Sequence, residues 1–380
     1  MAPTRELANQ IALEIRKLSR HIHNLKVLTL CGGTPFKPQV LSLSHGAHIV
    51  VATPGRVLKH IEQNNIDLEN INTLVLDEAD KMLDMGFYDD IMSIINTLPT
   101  KRQTLLFSAT YEKNIEKLAS NVLLNPVVVK VENEEKVHIK QEFYYIDEEN
   151  KTAFIPALIS SNKAKSILIF CNMKIKCDKL ADDLYALGLD VLTLHSDLEQ
   201  KQRDETIILF SNKSYPILIA TDVASRGLHI DDVDLVINYD LSLDEKIHTH
   251  RIGRTARAGK GGLVISLYTQ NDFDRVEIIK ETFSDIEDKS IDSVEDDLSY
   301  KIDSELRTIF INGGKKQKLR AGDILGALTA GIGLQKDDIG KIDILDFASY
   351  VAINKEKISF VLERLSKEKI KGKYYRIYEK

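Results

Sequence analysis

The stretch Leu74-Val75-Leu76-Asp77-Glu78-Ala79-Asp80 decides the fold, because an apolar run typical of a buried strand ends in adjacent carboxylates. Carboxylates at the C-terminal end of a parallel strand face the crevice where α/β proteins bind ligands. Asp77 suits magnesium coordination on nucleotide phosphates, and Glu78 suits orientation or deprotonation of an attacking water. The same acids could instead begin a helix, where the helix dipole favours them. These residues alone leave both interpretations open.

Short apolar runs, each followed by turn residues and a helical segment, recur along the first 283 residues. This is the βαβ pattern of parallel sheets covered by helices. The predicted strands of the first set are His48–Ala52, Thr73–Leu76 and Gln103–Phe107. Those of the second set are Ser166–Phe170, Val191–Leu194, Ile217–Ala220 and Leu235–Asn238. The sequence predicts two α/β domains, with a polar linker within or beside Glu132–Asn150.

The C-terminal part has a different organisation. Residues 284–304 contain eight acids and two lysines, a composition that buries little surface and predicts an acidic linker. The elements predicted after it are strand Arg307–Ile311, helix Ala321–Thr329, strands Gly340–Asp343 and Ser349–Ile353, helix Lys355–Leu365 and strand Tyr374–Tyr378. This order is that of an RNA-recognition motif, an open sheet backed by two helices. The predicted domains are therefore 1–132, 133–283 and 305–380.

Composition excludes several classes of protein. The 380 residues are 43% apolar and 28% charged, which excludes wholesale disorder. No apolar stretch approaches the roughly 18 residues that span a bilayer, so no membrane association is expected. The N-terminus shows no secretory signal. Three scattered cysteines, Cys31, Cys171 and Cys177, predict reduced thiols in a cytoplasmic protein.

Charge is distributed unevenly along the chain. Residues 301–380 carry 17 Lys+Arg and 11 Asp+Glu, or +6, so the other 300 residues carry 34 minus 46, or -12. A basic C-terminal domain on an acidic body fits a polyanionic partner for that domain. A solvated lysine face explains the same numbers equally well.

Motifs along the chain resolve the ambiguity of the acidic stretch. The sequence resembles the DEAD-box RNA helicases, whose name is spelled by Asp77–Asp80. The other family blocks occur in the family's order: Pro3-Thr4-Arg5-Glu6-Leu7-Ala8 (motif Ia), Gly32-Gly33 (paired glycines), Thr53-Pro54-Gly55-Arg56 (motif Ib), Ser108-Ala109-Thr110 (motif III), Ile169-Phe170-Cys171-Asn172 (motif IV), Gln200 with Arg203, Ala220–Gly227 (motif V) and His250–Arg257 (motif VI). The resemblance implies two RecA-like domains that bind ATP and Mg²⁺.

The resemblance also implies roles for single residues. Arg254 and Arg257 are the arginine fingers, because guanidinium groups stabilise a transferring phosphoryl group. The residues implied to couple ATP and RNA binding are Asp80, Ser108, Thr110, His250 and Arg251. Those implied to hold RNA by phosphate and sugar contacts are Pro3, Thr4, Arg5, Gly32, Gly33, Thr53, Pro54, Gly55, Arg56, Gln200, Arg203 and Thr221. A simple turn explains any of the glycines taken singly.

The C-terminal segment resembles the appended RNA-binding domain of the DbpA branch of these helicases. The resemblance rests on Lys315–Leu328, Gly340–Asp343 and Lys369–Lys373. It implies recognition of a hairpin in large-subunit ribosomal RNA, with Lys315, Lys316, Lys318 and Arg320 suited to phosphate contacts. Phe310, Phe347 and Tyr350 could stack on bases, although core packing is the expected role of at least two of them.

The sequence departs from the family in three places. No phosphate-binding loop of the G-x-x-x-x-G-K-[ST] kind precedes motif Ia, and we expect the chain to be an N-terminally truncated fragment whose first domain is incomplete. The aspartate that contacts the nucleotide ribose in the family is replaced by His229, which predicts altered nucleotide coupling. Ser196 stands where the family usually has glycine.

The expected function is ATP-dependent RNA unwinding by a cytoplasmic monomer, on ribosomal RNA during assembly of the large subunit. The main alternative is an RNA-binding protein that does not hydrolyse ATP. The missing phosphate-binding loop favours that alternative, whereas the intact Asp77, Glu78, Arg254 and Arg257 disfavour it. A DNA helicase on a related core is disfavoured by the RNA-type C-terminal domain.

Overall fold

A computed structural model of the chain describes residues 1–111, 113–130, 139–225, 233–255, 261–283, 285–297 and 299–380. These residues form two compact units, one up to residue 130 and one from residue 139 onward. No helix within the described ranges is both long and apolar enough to cross a membrane. Cys31, Cys171 and Cys177 are buried free thiols.

The first unit alternates helices with short parallel strands, as the sequence predicts. Its helices are α1 (Arg5–Leu18), α2 (Phe36–Leu43), α3 (Pro54–Glu62), α4 (Ala79–Asp84), α5 (Tyr88–Asn96) and α6 (Lys113–Val122). Its strands are β1 (Val27–Leu30), β2 (Ile49–Ala52), β3 (Thr73–Leu76) and β4 (Gln103–Leu106). Strand β1 was not predicted from the sequence. Helix α1 begins where the Thr4 hydroxyl accepts a hydrogen bond from the Leu7 amide.

The strands of the first unit form two separate pairs, β1 with β2 and β3 with β4. Met1 and Ala2 lie between the pairs: the Ala2 amide donates to the Ala52 carbonyl at 2.9 Å, and the Asp77 amide donates to the Met1 carbonyl at 3.0 Å. Side chains on one face of β3 and β4, including Val75 and Leu105, are exposed. The described strands of the first unit are thus paired two by two, and one face of β3 and β4 is exposed.

The second unit contains a seven-stranded parallel sheet in the order β11-β5-β10-β9-β6-β8-β7. The strands are β5 (Ile139–Tyr145), β6 (Ile167–Phe170), β7 (Val191–Leu194), β8 (Ile217–Ala220), β9 (Leu235–Asn238), β10 (Gly262–Tyr268) and β11 (Ile286–Lys289). The helices are α7 (Lys151–Asn162), α8 (Lys174–Ala186), α9 (Gln200–Ser211), α10 (Asp222–Ser225), α11 (Glu245–Ile252) and α12 (Phe273–Thr282). Strands β6, β8 and β9 are buried throughout, as continuous apolar runs predict.

The two units divide within the stretch Glu132–Asn150, where the linker is predicted, and the described part of that stretch contains β5, which lies inside the sheet. Strand β5 was not predicted from the sequence because it contains polar residues. Glu142 is buried, and burial alone would raise the pKa of its carboxyl. Hydrogen bonds from Lys140, Lys289 and Tyr144 outweigh burial and lower that pKa. Charge pairing therefore makes this polar strand compatible with a core position.

The prediction of an acidic linker over 284–304 is wrong in part, because β11 joins the sheet edge beside β5. Its Asp288 pairs with Lys280 at 2.7 Å. Farther along, Val294, Tyr300 and Ile302 pack against the core of the second unit. The apolar residues between the acids pack against the core, so the high content of acidic residues did not prevent ordered packing.

The C-terminal part of the second unit has the predicted β-α-β-β-α-β order. Its elements are β12 (Leu306–Ile311), α13 (Ala321–Gly326), β13 (Ile339–Ile344), β14 (Ser349–Asn354), α14 (Ile358–Leu365) and β15 (Ile377–Glu379), and the antiparallel sheet order is β13-β14-β12-β15. The first helix ends earlier than predicted, in a π-helical turn at Ala327–Gly331. Apolar residues of both helices cover one face of the sheet.

Candidate functional site

The carboxylates after β3 adopt a special backbone conformation. Glu78 has φ 50° and ψ 52°, in the left-handed region that non-glycine residues rarely occupy. The Glu78 amide donates to the Asp77 carboxylate at 3.0 Å. Backbone strain of this kind costs of order 1–3 kcal/mol and clusters at functional sites. The turn directs both acids to the carboxyl end of the strand, as the sequence predicts.

Glu78 has a charged neighbour that sequence analysis missed. The Lys81 ammonium lies 2.7 Å from one oxygen of the Glu78 carboxylate, one helical turn away. Among the described residues, the other carboxylate oxygen is buried and accepts no hydrogen bond. A buried acceptor normally has a donor. The geometry therefore fits a carboxylate fixed on one side and available to a ligand on the other.

Asp80 connects the acidic turn to the segment that follows β4. Its carboxylate accepts hydrogen bonds from the Thr110 amide at 3.2 Å and the Thr110 hydroxyl at 3.3 Å. The Ser108 hydroxyl donates to the Thr110 carbonyl at 2.7 Å. The three residues expected to act together are thus one hydrogen-bonded group, and their role in coupling stays a prediction.

Three loops of the first unit carry the residues expected to bind RNA. Arg5 donates to the Gly33 carbonyl at 3.5 Å, which joins motif Ia to the paired glycines. Gly33 has φ 68°, a value that glycine adopts without a steric penalty. Pro54 begins α3, and Thr53 precedes it as the cap. The structure brings these loops together at the carboxyl ends of β1 and β2.

Gln39, which sequence analysis did not single out, ties two of these loops together. Its side-chain oxygen accepts from Arg56 at 2.9 Å and from His60 Nε2 at 3.0 Å, and its amide donates to the Thr34 hydroxyl at 2.6 Å. The His60 ring stacks on Phe36 with centroids 4.3 Å apart. Burial and the nearby Arg56 lower the pKa of His60, which keeps the ring neutral. No sequence signal indicates this bridge.

Arg251 is the buried centre of the second unit's carboxyl edge and is 1% exposed. Its Nε and Nη2 donate to the two Asp222 oxygens, each at 2.7 Å. Nη2 also donates to Asn172 at 2.7 Å, and Nη1 donates to Asn238 at 3.2 Å and to the Asp240 carbonyl at 2.7 Å. All five N–H groups thus have acceptors inside this unit. Arg251 thus joins motifs IV, V and VI, and its role in coupling stays a prediction.

The other residues of motif VI are placed less completely. Arg254 is buried, and its carbonyl accepts from the Val233 amide at 3.4 Å. His250 lies on α11. Arg257 lies outside the described residues, as does His229 of motif V, so their predicted roles stay predictions.

His248, one turn before the motif VI arginines, is a buried histidine that belongs to the packing of α11. Its Nε2 lies 2.8 Å from Gln141 Oε1, and its Nδ1 lies 3.1 Å from the Ser242 hydroxyl. Burial, together with the nearby Arg251, lowers the pKa of His248 to about 4. The imidazole is therefore neutral near pH 7.

The first turn of α9 and the neighbouring strand ends carry the remaining core residues expected to bind RNA. Arg203 donates to the His195 carbonyl at 3.5 Å and to the Ala224 carbonyl at 3.3 Å. Gln200, at the start of the helix, donates to Asp204 at 2.7 Å. Thr221 directly follows β8. Gln200, Arg203 and Thr221 thus occupy one edge of the sheet.

The basic residues of the C-terminal domain lie on a loop fixed by a second loop. The amides of Lys315 and Lys316 donate to the carbonyls of Leu345 at 2.9 Å and Asp346 at 2.8 Å. A Cβ on Gly314 would lie 2.2 Å from the Leu345 carbonyl oxygen, so only glycine fits there. The side chains of Lys315, Lys316, Lys318 and Arg320 are exposed. A rigid basic loop suits phosphate contacts.

The aromatic residues of this domain divide into two groups. Phe310 and Tyr350 are buried and pack with Ile208 of α9. The Tyr350 hydroxyl donates to Glu205 at 3.1 Å, and burial raises the pKa of Tyr350, as does the Glu205 carboxylate. Phe347, in contrast, is 64% exposed. The expectation that at least two of the three are packing residues is confirmed.

Comparisons with known proteins agree with this architecture. Residues 1–118 match the family described as DEAD/DEAH box helicase, residues 150–259 match the helicase conserved C-terminal domain, and residues 308–379 match the DbpA RNA binding domain. The chain is 43% identical over 378 residues to the ATP-dependent RNA helicase DbpA of Escherichia coli (strain K12), covering 99% of this chain and 82% of that protein.

A second relative and a solved structure extend the comparison. The DbpA helicase of Bacillus subtilis (strain 168) is 36% identical over 400 residues, with 99% of this chain and 83% of that protein covered. The structure of S. cerevisiae Dbp5 bound to RNA and ADP BeF3 has a TM-score of 0.68 and 29% identity, with 77% of each chain covered. The chain therefore belongs to the DEAD-box RNA helicases and carries a C-terminal RNA-binding domain of the DbpA type.

Proposed function

We propose that this protein is an ATP-dependent RNA helicase that remodels large-subunit ribosomal RNA during ribosome assembly, as a cytoplasmic monomer. The observation that carries the proposal is the combination of an intact acidic turn with a basic RNA-binding loop in one chain. The acidic turn supplies the chemistry of phosphoryl transfer. The basic loop supplies an anchor on RNA.

The chemistry assigned to the acidic turn follows from its geometry. Asp77 is a hard oxygen ligand of the kind that holds Mg²⁺ on nucleotide phosphates, and a single carboxylate suits an ion that arrives with those phosphates. Glu78, with one oxygen held by Lys81, would orient the attacking water through the other. Arg254 and Arg257 would stabilise the transferred phosphoryl group, an effect of about 10³ to 10⁵ in rate elsewhere.

The core would hold RNA without reading its sequence. The three loops of the first unit offer hydroxyl groups, a guanidinium group and glycine backbone, which suit phosphates and sugars. Asp80, Ser108 and Thr110 would transmit RNA binding to the acidic turn through their shared hydrogen bonds. Arg251 has a different task, because its five bonds hold the second unit's motifs in fixed relative positions.

The ribosomal target is proposed from the C-terminal domain. Its exposed lysines lie on a loop of fixed conformation. When they bind phosphates, counterions would be released from the RNA, so the affinity would fall as the salt concentration rises. The alignments with the two DbpA helicases described above cover 99% of this chain. We expect this domain to recognise a hairpin of large-subunit ribosomal RNA and so to deliver the helicase core to that region.

An RNA-binding experiment tests the target. Overlapping transcripts that tile E. coli large-subunit ribosomal RNA are titrated with the 380-residue chain and with a variant carrying Lys316→Glu, Lys318→Glu and Arg320→Glu. We expect one transcript to bind far more tightly than duplex DNA, and the variant to lose that preference. Equal affinity of the variant and the unchanged chain at moderate salt would contradict the ribosomal assignment.

ATP hydrolysis needs a separate experiment, because the 380 residues contain no G-x-x-x-x-G-K-[ST] loop. RNA-stimulated hydrolysis is measured for this chain and for the product of the gene with any in-frame coding sequence upstream of Met1. We expect hydrolysis in the longer product and its loss in Glu78→Gln. If a stop codon closes the frame directly before Met1 and the chain binds RNA without hydrolysis, the RNA-binding alternative is the correct one.

A further inference from the structure

We propose that Phe347 is a base-stacking residue, which binds an unpaired nucleotide of the RNA held by the neighbouring basic loop. The inference rests on the proposed binding of RNA by the C-terminal domain and adds a specific contact to it. The ligand class is a nucleotide in a loop, bulge or end, since a paired base within a helix has no free face.

The usual stacking surface of an RNA-recognition motif is largely covered in this unit. Such domains stack bases on aromatic residues of the sheet face. Here Phe310 and Tyr350 of that face pack against Ile208 of α9. Lys380 lies 5.6 Å from the ring centres of Phe310 and Tyr378 and pairs with Glu205 at 2.6 Å. A base could reach the rings of Phe310 and Tyr350 only after α9 had moved away.

Buried polar contacts beside the aromatic residues hold the sheet and α9 together. Asn212, which follows α9, donates to the Thr308 hydroxyl at 2.8 Å, and the Ser214 hydroxyl lies 2.6 Å from the same oxygen. Arg307 pairs with Asp190 at 3.0 Å. Separation would leave the buried hydroxyl groups without these partners, so the covered face is a stable feature of the unit.

Phe347 lies instead on the loop between β13 and β14, next to the basic residues. The preceding residue, Asp346, accepts a hydrogen bond from the Lys316 amide at 2.8 Å, so the two loops are in direct backbone contact. The tight fit of Gly314 against Leu345 fixes the same contact from the other side. The backbone at Phe347 is thus held next to the loop whose lysines would bind phosphates.

The exposure of Phe347 fits a ring that meets a ligand. A phenylalanine left in water forgoes about 1.5–3 kcal/mol of burial. Base–aromatic stacking is worth about 1–3 kcal/mol per base and tolerates any base, because each has a π-face. Proteins that bind single strands combine basic residues that contact phosphates with aromatic rings that stack on bases, and lysines beside Phe347 provide the same combination. The arrangement therefore suits a flipped-out or loop nucleotide.

The test uses the 380-residue chain and the tightest-binding transcript from the tiled ribosomal set. Phe347→Ala should weaken binding about 5- to 150-fold, the range that corresponds to loss of one stacked base. Phe347→Tyr should restore most of the affinity. Phe360→Ala is the matched control, because Phe360 is an exposed phenylalanine on α14 of the same domain. It should leave binding unchanged, and thermal unfolding should show that all three variants are folded.

Salt dependence separates stacking from charge. Phe347→Ala should lower affinity equally at all salt concentrations, whereas Lys316→Gln should reduce the slope of log K against log salt by about 1. If Lys316→Gln weakens binding and Phe347→Ala does not, stacking by Phe347 is refuted while RNA binding stands. Weakening by Tyr378→Ala with no effect of Phe347→Ala would show that the sheet face reads RNA instead. If no variant weakens binding, the proposed RNA role of the domain fails first.

Discussion

Replacing Arg251 by lysine tests the view that this arginine holds the second unit together. Lysine keeps the positive charge but has three donors where arginine has five, so at least two of the five acceptors lose their partner. Each buried polar group left without a partner costs about 1–3 kcal/mol, which gives a loss of about 2–6 kcal/mol. A unit of this size changes its melting temperature by about 2–4 °C per kcal/mol, so we expect a decrease of at least about 4 °C.

Differential scanning calorimetry is the suitable assay, because the two units can melt as separate transitions. Arg275→Lys is the control, since Arg275 pairs with Asp272 on a partly exposed surface. Lysine keeps the charge and a donor for Asp272, and the Arg275 side chain is 34% exposed, so we expect a loss of about 0–1 kcal/mol and a shift of less than about 4 °C. Equal shifts for Arg251→Lys and Arg275→Lys would refute the view that the five bonds of Arg251 stabilise the unit.

Three further predictions concern stability and pH. The pKa of His248 is about 4 in the folded chain against 6.5 in the unfolded chain, so the unfolded state binds more protons in that window. Unfolding of the second unit should therefore become easier by about 3 kcal/mol as pH falls from 6.5 to 4, and His248→Gln should flatten this dependence in calorimetry. Gly314→Ala places a Cβ 2.2 Å from the Leu345 carbonyl oxygen and should lower both the melting temperature and RNA affinity, whereas Gly322→Ala, with open space around it, should be neutral or stabilising. Gln39→Leu removes the acceptor of a buried histidine and should destabilise the first unit by about 1–3 kcal/mol in urea titration; an unchanged midpoint would contradict the bridging role.

Sequence analysis predicted well the elements whose own residues are apolar enough to indicate that they are buried. Strands β6 and β8 are apolar at every position, and β9 is apolar at every position except its last, Asn238; the turn residues after them set their ends. Strand β5 was missed because its buried Glu142 depends on Lys289, which lies 147 residues away in the chain. No local pattern contains that information, and the same holds for β11 in the acidic stretch.

The candidate site shows the same division. The acidic turn and the motif VI arginines were predicted from their resemblance to the family's motifs, because the acidic residues alone left two interpretations open. Gln39 and Lys81 could not be predicted, since a glutamine or a lysine has many ordinary surface roles. Their importance lies in which side chains they contact, and tertiary packing alone determines that. The covering of Phe310 and Tyr350 by α9 likewise depends on contacts between distant segments.

The left-handed conformation of Glu78 has a consequence for how this protein can evolve. Glycine or asparagine would occupy φ 50° with less strain than glutamate does. Selection for stability alone should therefore enrich those two residues at position 78, and selection for activity should restore glutamate. The residue at this position would therefore indicate whether a homologue still hydrolyses ATP. A homologue that has lost hydrolysis gains stability by changing the residue, while one that still hydrolyses ATP must retain the strain.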